Sequence, residues 1–71
     1  MAGTSGTEAA VFNAANETAV EAFLAGRIPF PRIVGTVDGV LSAHAPKQAP
    51  SLEDLLEADA WARRQAAEAC R

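Results

Sequence analysis

Hydrophobic residues recur at helical spacing along most of this chain. In the first such segment, residues 7–25, several apolar positions fall on or beside one line when successive residues are rotated by about 100°. Gly26 follows the segment and suits the left-handed residue that often ends a helix. The pattern therefore predicts a first helix over residues 7–25. The apolar positions that share this predicted face are Phe12, Ala19, Val20, Phe23 and Leu24.

Two asparagines interrupt the predicted apolar face of this helix. Asn16 falls inside the face and Asn13 at its edge, within the motif Asn13-Ala14-Ala15-Asn16-Glu17. A buried amide without hydrogen-bond partners costs about 1–3 kcal/mol, so we expect both side chains to be bonded. We expect Asn16 to bond within the domain and Asn13 to face a partner. Asn13, Asn16 and Glu17 are thus a candidate domain-interface or structural polar cluster.

The second segment is ambiguous between a helix and a hairpin. Residues 32–41 are rich in β-branched side chains, and Asp38-Gly39 is typical of a hairpin turn. A helix, however, gathers the large apolar side chains of residues 30–44 into an arc of about 120°, whereas a strand gives no clean face. The spacing therefore predicts a second helix over residues 31–44, with Pro31 as its first residue and His44 at the end of its apolar face.

The last third of the chain contains two differently oriented apolar patterns. Ser51 and Asp54 form a capping arrangement at the start of a segment whose apolar residues are Leu52, Leu55 and Leu56. In one straight helix Trp61 would lie opposite these leucines, so we expect Asp59 to cap a fresh start. The pattern predicts a third helix over 52–58 and a fourth over 59–70. The expected fold is an all-α, irregular four-helix array over residues 7–71, preceded by a flexible segment, 1–6.

Three segments of the chain resemble one known family. Residues 6–17 with the Asn13–Glu17 motif, residues 19–30, and residues 51–63 look like the C-terminal helical domain of 1-deoxy-D-xylulose 5-phosphate reductoisomerase. The first motif is fairly specific, and together the segments cover nearly all of the chain from Gly6. The chain departs from the family pattern Gly-Gly-Thr-Ala-Pro, because Ser5-Gly6-Thr7-Glu8-Ala9 lacks the proline.

The resemblance implies a scaffolding domain of an enzyme of the non-mevalonate isoprenoid pathway. The full-length family enzyme is an NADPH-dependent oxidoreductase that also uses a divalent metal, Mg or Mn. The cofactor fingerprint and the metal ligands of that family have no counterpart here, so no catalytic, cofactor-binding or metal-binding residue carries over and the chain alone is expected to be inactive. The expected partner is the catalytic domain of the same enzyme. The alternative is a free-standing helical module that binds another protein.

Composition narrows the possible partners further. A net charge of −3 and a pI near 4.9 disfavour nucleic acids and anionic membranes. No apolar run approaches the roughly 20 residues of a membrane span, and no secretory signal pattern is present, so we expect a cytoplasmic location. The chain has one cysteine, Cys70, and one histidine, which excludes a disulfide framework and a Cys/His zinc cluster.

Overall fold

Three helices make up the described part of the protein. The structure is a computed structural model that describes residues 7–44 and 51–70. Its helices are α1, Glu8–Leu24, α2, Pro31–Ala43, and α3, Leu52–Ala69. Helix α1 packs against both α2 and α3, which contact each other much less. The all-helical expectation is therefore confirmed for these residues, and the predicted flexible segment over 1–6 lies outside them.

The predicted four-helix array is wrong, because residues 52–69 form one continuous helix. The prediction assumed that Leu52 and Leu56 are buried, whereas both are largely exposed. The buried residues of α3 are alanines spaced four apart, and Trp61 packs beside them without a new helix start. Asp59 caps nothing; its carboxylate accepts a hydrogen bond from Arg63, one turn along. The buried alanines of α3 are Ala58, Ala62 and Ala66.

The predicted helix over residues 31–44 is confirmed, and the hairpin is excluded. Helix α2 runs through Asp38 and Gly39 and ends at Ala43, and His44 is extended. It buries Ile33, Val37 and Val40 of the predicted apolar arc, whereas Phe30 and Val34 of the same arc are largely exposed.

The buried face of α1 differs from the predicted one. Phe12 is 48% exposed and Leu24 is 75% exposed, although the pattern placed both on the core side. Of the predicted face, Ala19 is fully buried and Val20 and Phe23 pack beside it, but the rest of the buried side consists of one valine and three alanines. Small side chains allow neighbouring helices to approach closely, and so α1 can pack against two helices at once. The buried residues of α1 are Val11, Ala14, Ala15, Ala19 and Ala22.

Local sequence signals explain the helix ends. Gly26 follows α1 with φ +80°, the left-handed conformation that favours glycine. Ser51 and Asp54 form a reciprocal capping box at the start of α3, with distances of 3.0 and 3.1 Å. Thr7 precedes α1, but its side chain makes no capping hydrogen bond. It bonds His44 at the far end of α2 instead. Among the described helices, none is both long and apolar enough to cross a membrane.

Candidate functional site

The structure places the three candidate residues of α1 in different surroundings. Asn13 is exposed. Asn16 is partly buried and faces α2. Glu17 faces α3, where its carboxylate accepts a hydrogen bond from Nη2 of Arg63 at 2.8 Å. The motif therefore spreads over two helix contacts and the surface between them, and it does not form one compact polar cluster.

Glu17 contributes to an ion-pair network between α1 and α3. The guanidinium of Arg63 donates to Asp59 at 2.9 Å and to Glu17 at 2.8 Å. These hydrogen bonds, first to Asp59 and then to Glu17, raise the pKa of Arg63 above its usual value. All three groups are solvent-exposed to a large degree, so the network orients the two helices more than it stabilises the fold. Glu17 therefore has a structural contact within this chain.

Neither asparagine side chain is hydrogen-bonded to any residue in 7–44 or 51–70. The expectation that Asn16 bonds within the domain therefore stays a prediction, since its side chain has no partner among these residues. No fully buried side-chain nitrogen or oxygen lacks a partner among these residues, so the amide of Asn16 keeps some contact with solvent. Its partial burial in apolar surroundings leaves donors and an acceptor available to another protein segment.

An open apolar groove lies between α1 and α2, with a volume of about 310 Å³. Val34 is 70% exposed along it, and Phe12 stands on the opposite wall. The polar residues of the lining are Asn16 and Asp38. We call this feature the α1–α2 groove, and its lining residues are Phe12, Asn16, Ile33, Val34, Val37, Asp38 and Leu41.

Two glycines of α2 lie on its exposed side, outside the lining of the α1–α2 groove. Gly35 and Gly39 follow the groove residues Val34 and Asp38 directly and are themselves exposed. A Cβ atom added at either glycine would have no neighbour within 4 Å. Both glycines lie outside the apolar arc of α2, as the residue spacing predicts.

A second cavity, of about 340 Å³, lies near the start of α1 and the end of α2. On one side Thr7 Oγ1 and His44 Nε2 are hydrogen-bonded at 2.5 Å. The ring of His44 lies against Trp61, with centroids 5.6 Å apart. The polar groups of Asp54 and Glu57 also line the cavity. Asp54 belongs to the capping box, and His44 links all three helices, so these contacts are explained by the fold itself.

A metal centre is not suggested by the side chains of residues 7–44 and 51–70. No three His, Cys, Asp or Glu residues in these ranges approach closely enough to hold an ion together. Cys70 is buried beside Thr36, with 3.9 Å between Sγ and Oγ1, and packs in a second apolar cluster with Ala19, Ala22, Ile28 and Ile33.

Comparison with known proteins gives a consistent assignment. A family model described as the DXP reductoisomerase C-terminal domain matches residues 1–65. The chain is 57% identical to the 1-deoxy-D-xylulose 5-phosphate reductoisomerase of Symbiobacterium thermophilum over 58 residues, which are 82% of this chain and 15% of that protein. It is 54% identical to the protein of the same name from Moorella thermoacetica over 61 residues, 86% of this chain and 16% of that protein. The chain thus spans about 15% of the length of such relatives. No solved structure matches it.

Proposed function

The chain belongs to the DXP reductoisomerase C-terminal domain family, and we propose that it acts as the non-catalytic scaffolding domain of a 1-deoxy-D-xylulose 5-phosphate reductoisomerase. In this proposal the complete enzyme contributes to isoprenoid precursor biosynthesis and works in the cytoplasm. The observation that carries the proposal is the family match over residues 1–65. The small share of the relatives' length that it spans explains why the chain would need a larger protein.

The contacts of the titratable side chains support a structural role. The guanidinium of Arg63 forms ion pairs with Glu17 and Asp59. The imidazole of His44 is hydrogen-bonded to Thr7 and packs against the ring of Trp61. The Arg63–Glu17 and His44 contacts connect different helices, and residues 7–44 and 51–70 contain no converging set of acids, bases and nucleophiles of the kind that catalysis needs. No three His, Cys, Asp or Glu residues among 7–44 and 51–70 lie close enough to hold a divalent metal, so we assign both the metal and NADPH of the complete enzyme to its remaining part.

A free-standing interaction module is the alternative. It is favoured by the exposure of several large apolar side chains, of which Leu52 and Leu56 lie one turn apart on α3. The most exposed of these are Leu24, Phe30, Val34, Leu52 and Leu56. Such a module would use the same surfaces toward a different partner, so activity measurements distinguish the two functions better than the fold does.

The decisive experiment is a domain exchange. The Symbiobacterium thermophilum relative is prepared intact, without the 58 residues that match this chain, and with those residues replaced by their counterparts from this chain. NADPH oxidation is measured with a divalent metal and the deoxyxylulose phosphate substrate. We expect the exchanged enzyme to be active, and both the truncated relative and the pure 71-residue chain to be inactive. An exchanged enzyme as inactive as the truncated one, or NADPH oxidation by the pure chain, would contradict the proposal.

A further inference from the structure

The outward side of α3 carries an exposed apolar stripe. Leu52 is 71% exposed and Leu56 is 62% exposed. Ala60 and Ala67 are also exposed, and at about 100° per residue all three other residues lie within about 40° of Leu56 around the helix axis. We call these four residues the α3 stripe. Its first half therefore has large side chains and its second half has small ones.

Unpaired charges flank the α3 stripe and change sign along it. Glu53 and Glu57 lie beside the leucines, one helical turn apart, and Arg64 lies on the same flank two turns after Glu57. None of these three side chains forms an ion pair or hydrogen bond with a residue in 7–44 or 51–70. Like charges one turn apart repel each other within a helix. The acidic pair therefore favours a cation supplied from outside the described part of the domain.

We propose that the α3 stripe is a self-association surface, on which α3 of a second copy of this chain docks in antiparallel orientation. A two-fold axis near Ala60 places the first half of each helix against the second half of the other. Leu56 of one copy then packs on Ala60 and Ala67 of the other, and Arg64 of one copy lies opposite Glu57 of the other. Each contact occurs twice because the arrangement is symmetric, so size and charge are both complementary. This inference goes beyond the proposed function and does not depend on it.

Charge also selects the orientation of the pair. A parallel arrangement would bring the two copies of Glu57 together and likewise the two copies of Arg64, which is unfavourable. Helix α3 has 18 residues and is thus about 27 Å long, so one helix pair buries less than the roughly 1,200–2,000 Å² of a stable complex. We therefore expect a weak dimer, with a dissociation constant of about 0.1–1 mM.

Sedimentation equilibrium of the 71-residue chain, from about 20 µM to about 2 mM, measures this association. We expect a monomer–dimer equilibrium within that range. Arg64→Glu should weaken the dimer at least about tenfold, because two attractive pairs become two repulsive ones. The matched control is Arg27→Glu, which makes the same change in net charge at an exposed residue outside α3. It should change the dissociation constant by less than about twofold at physiological salt, since a distant charge is screened. Circular dichroism verifies that each variant keeps its helix content.

Two opposite charge variants give a readout that depends on the pairing itself. Glu57→Arg and Arg64→Glu should each weaken self-association, since each places like charges opposite each other. Mixed in equal amounts, the two variants should associate at least about tenfold more tightly than either does alone, because every basic side chain then faces an acidic one. A loss of folding in one variant would not produce such a rescue.

Cysteine cross-linking reports the orientation of the two helices. On oxidation, Ala60→Cys should form a disulfide between two copies at position 60, which lies beside the two-fold axis. Leu52→Cys should not link to itself, because an antiparallel pair holds the two copies of position 52 about 25 Å apart. The linked peptides are identified by mass spectrometry, which separates these products from any link through Cys70.

Several results would overturn the inference. They are a chain that stays monomeric at every concentration, equal weakening by Arg64→Glu and Arg27→Glu, and mixed charge variants that associate no better than the separate ones. A cross-link at position 52 in place of one at position 60 would also contradict the antiparallel pair. These outcomes leave the proposed function standing, whereas an inactive exchanged enzyme would count against that function and leave the self-association surface intact.

Discussion

Replacement of Val11 by alanine tests whether the small-residue face of α1 is the true core. Val11 lies on α1 and is fully buried against residues of α2 and α3. The change removes two buried carbon atoms, each worth about 0.8 kcal/mol on transfer from water. The cavity left behind adds to this loss, while the better helix propensity of alanine returns up to about 0.7 kcal/mol. The expected decrease in the free energy of unfolding is therefore about 1–2.5 kcal/mol.

This loss is large for a domain of 71 residues. At about 0.05–0.15 kcal/mol per residue, such a chain has a total stability of about 4–10 kcal/mol. Each kcal/mol corresponds to about 4–8 °C in the melting temperature of a domain of this size. Val11→Ala should thus lower the melting temperature by about 4–20 °C. The midpoint of urea unfolding should fall without a change in its slope.

Val34→Ala is the matched control, because it makes the same chemical change in a residue that is 70% exposed. It should alter the stability of the isolated chain by less than about 0.5 kcal/mol, or increase it slightly. Both variants are followed by circular dichroism at 222 nm during thermal and urea unfolding. If Val11→Ala unfolded like the unmodified chain, or if Val34→Ala cost as much as Val11→Ala, the assignment of the buried face would be wrong.

The remaining predictions concern the start of α3, the glycines Gly26 and Gly39, and the side-chain amide of Asn16. Ser51→Ala should destabilise the chain by about 0.5–2 kcal/mol through loss of the capping box. The control Ser42→Ala, at an exposed position in α2, should be nearly neutral in the same urea melt. Gly39→Ala should stabilise the isolated chain by up to about 1 kcal/mol. Gly26→Ala should destabilise it, because alanine is strained at φ +80°; equal thermal shifts of the two glycine variants would contradict this reasoning. Asn16→Ala should be neutral or slightly stabilising in the isolated chain, and a loss of more than about 1 kcal/mol in a thermal melt would reveal an internal hydrogen bond.

Sequence reasoning was most successful where a signal acts within a few residues. Gly26 ends α1, Pro31 begins α2, and the Ser51–Asp54 box starts α3, because each acts on the backbone of its own helix turn. The apolar arc of α2 also identified a helix correctly against the Asp38-Gly39 turn signal. The family resemblance rested on continuous motifs of the same local kind, and the match to residues 1–65 confirmed it.

The tertiary structure alone decided which faces of α1 and α3 are buried. Apolar periodicity gives weight to large residues, so it favoured Phe12 in α1 and Leu52 and Leu56 in α3, all of which are exposed. It also required a break near Asp59 that the helix does not have. Alanine fits a surface or a core equally well by its own preference, and it becomes the favoured core residue only when another helix approaches closely enough to need a small side chain. That approach depends on residues distant in the chain, which is why the buried alanine faces and the α1–α2 groove beside them appear only in the folded protein.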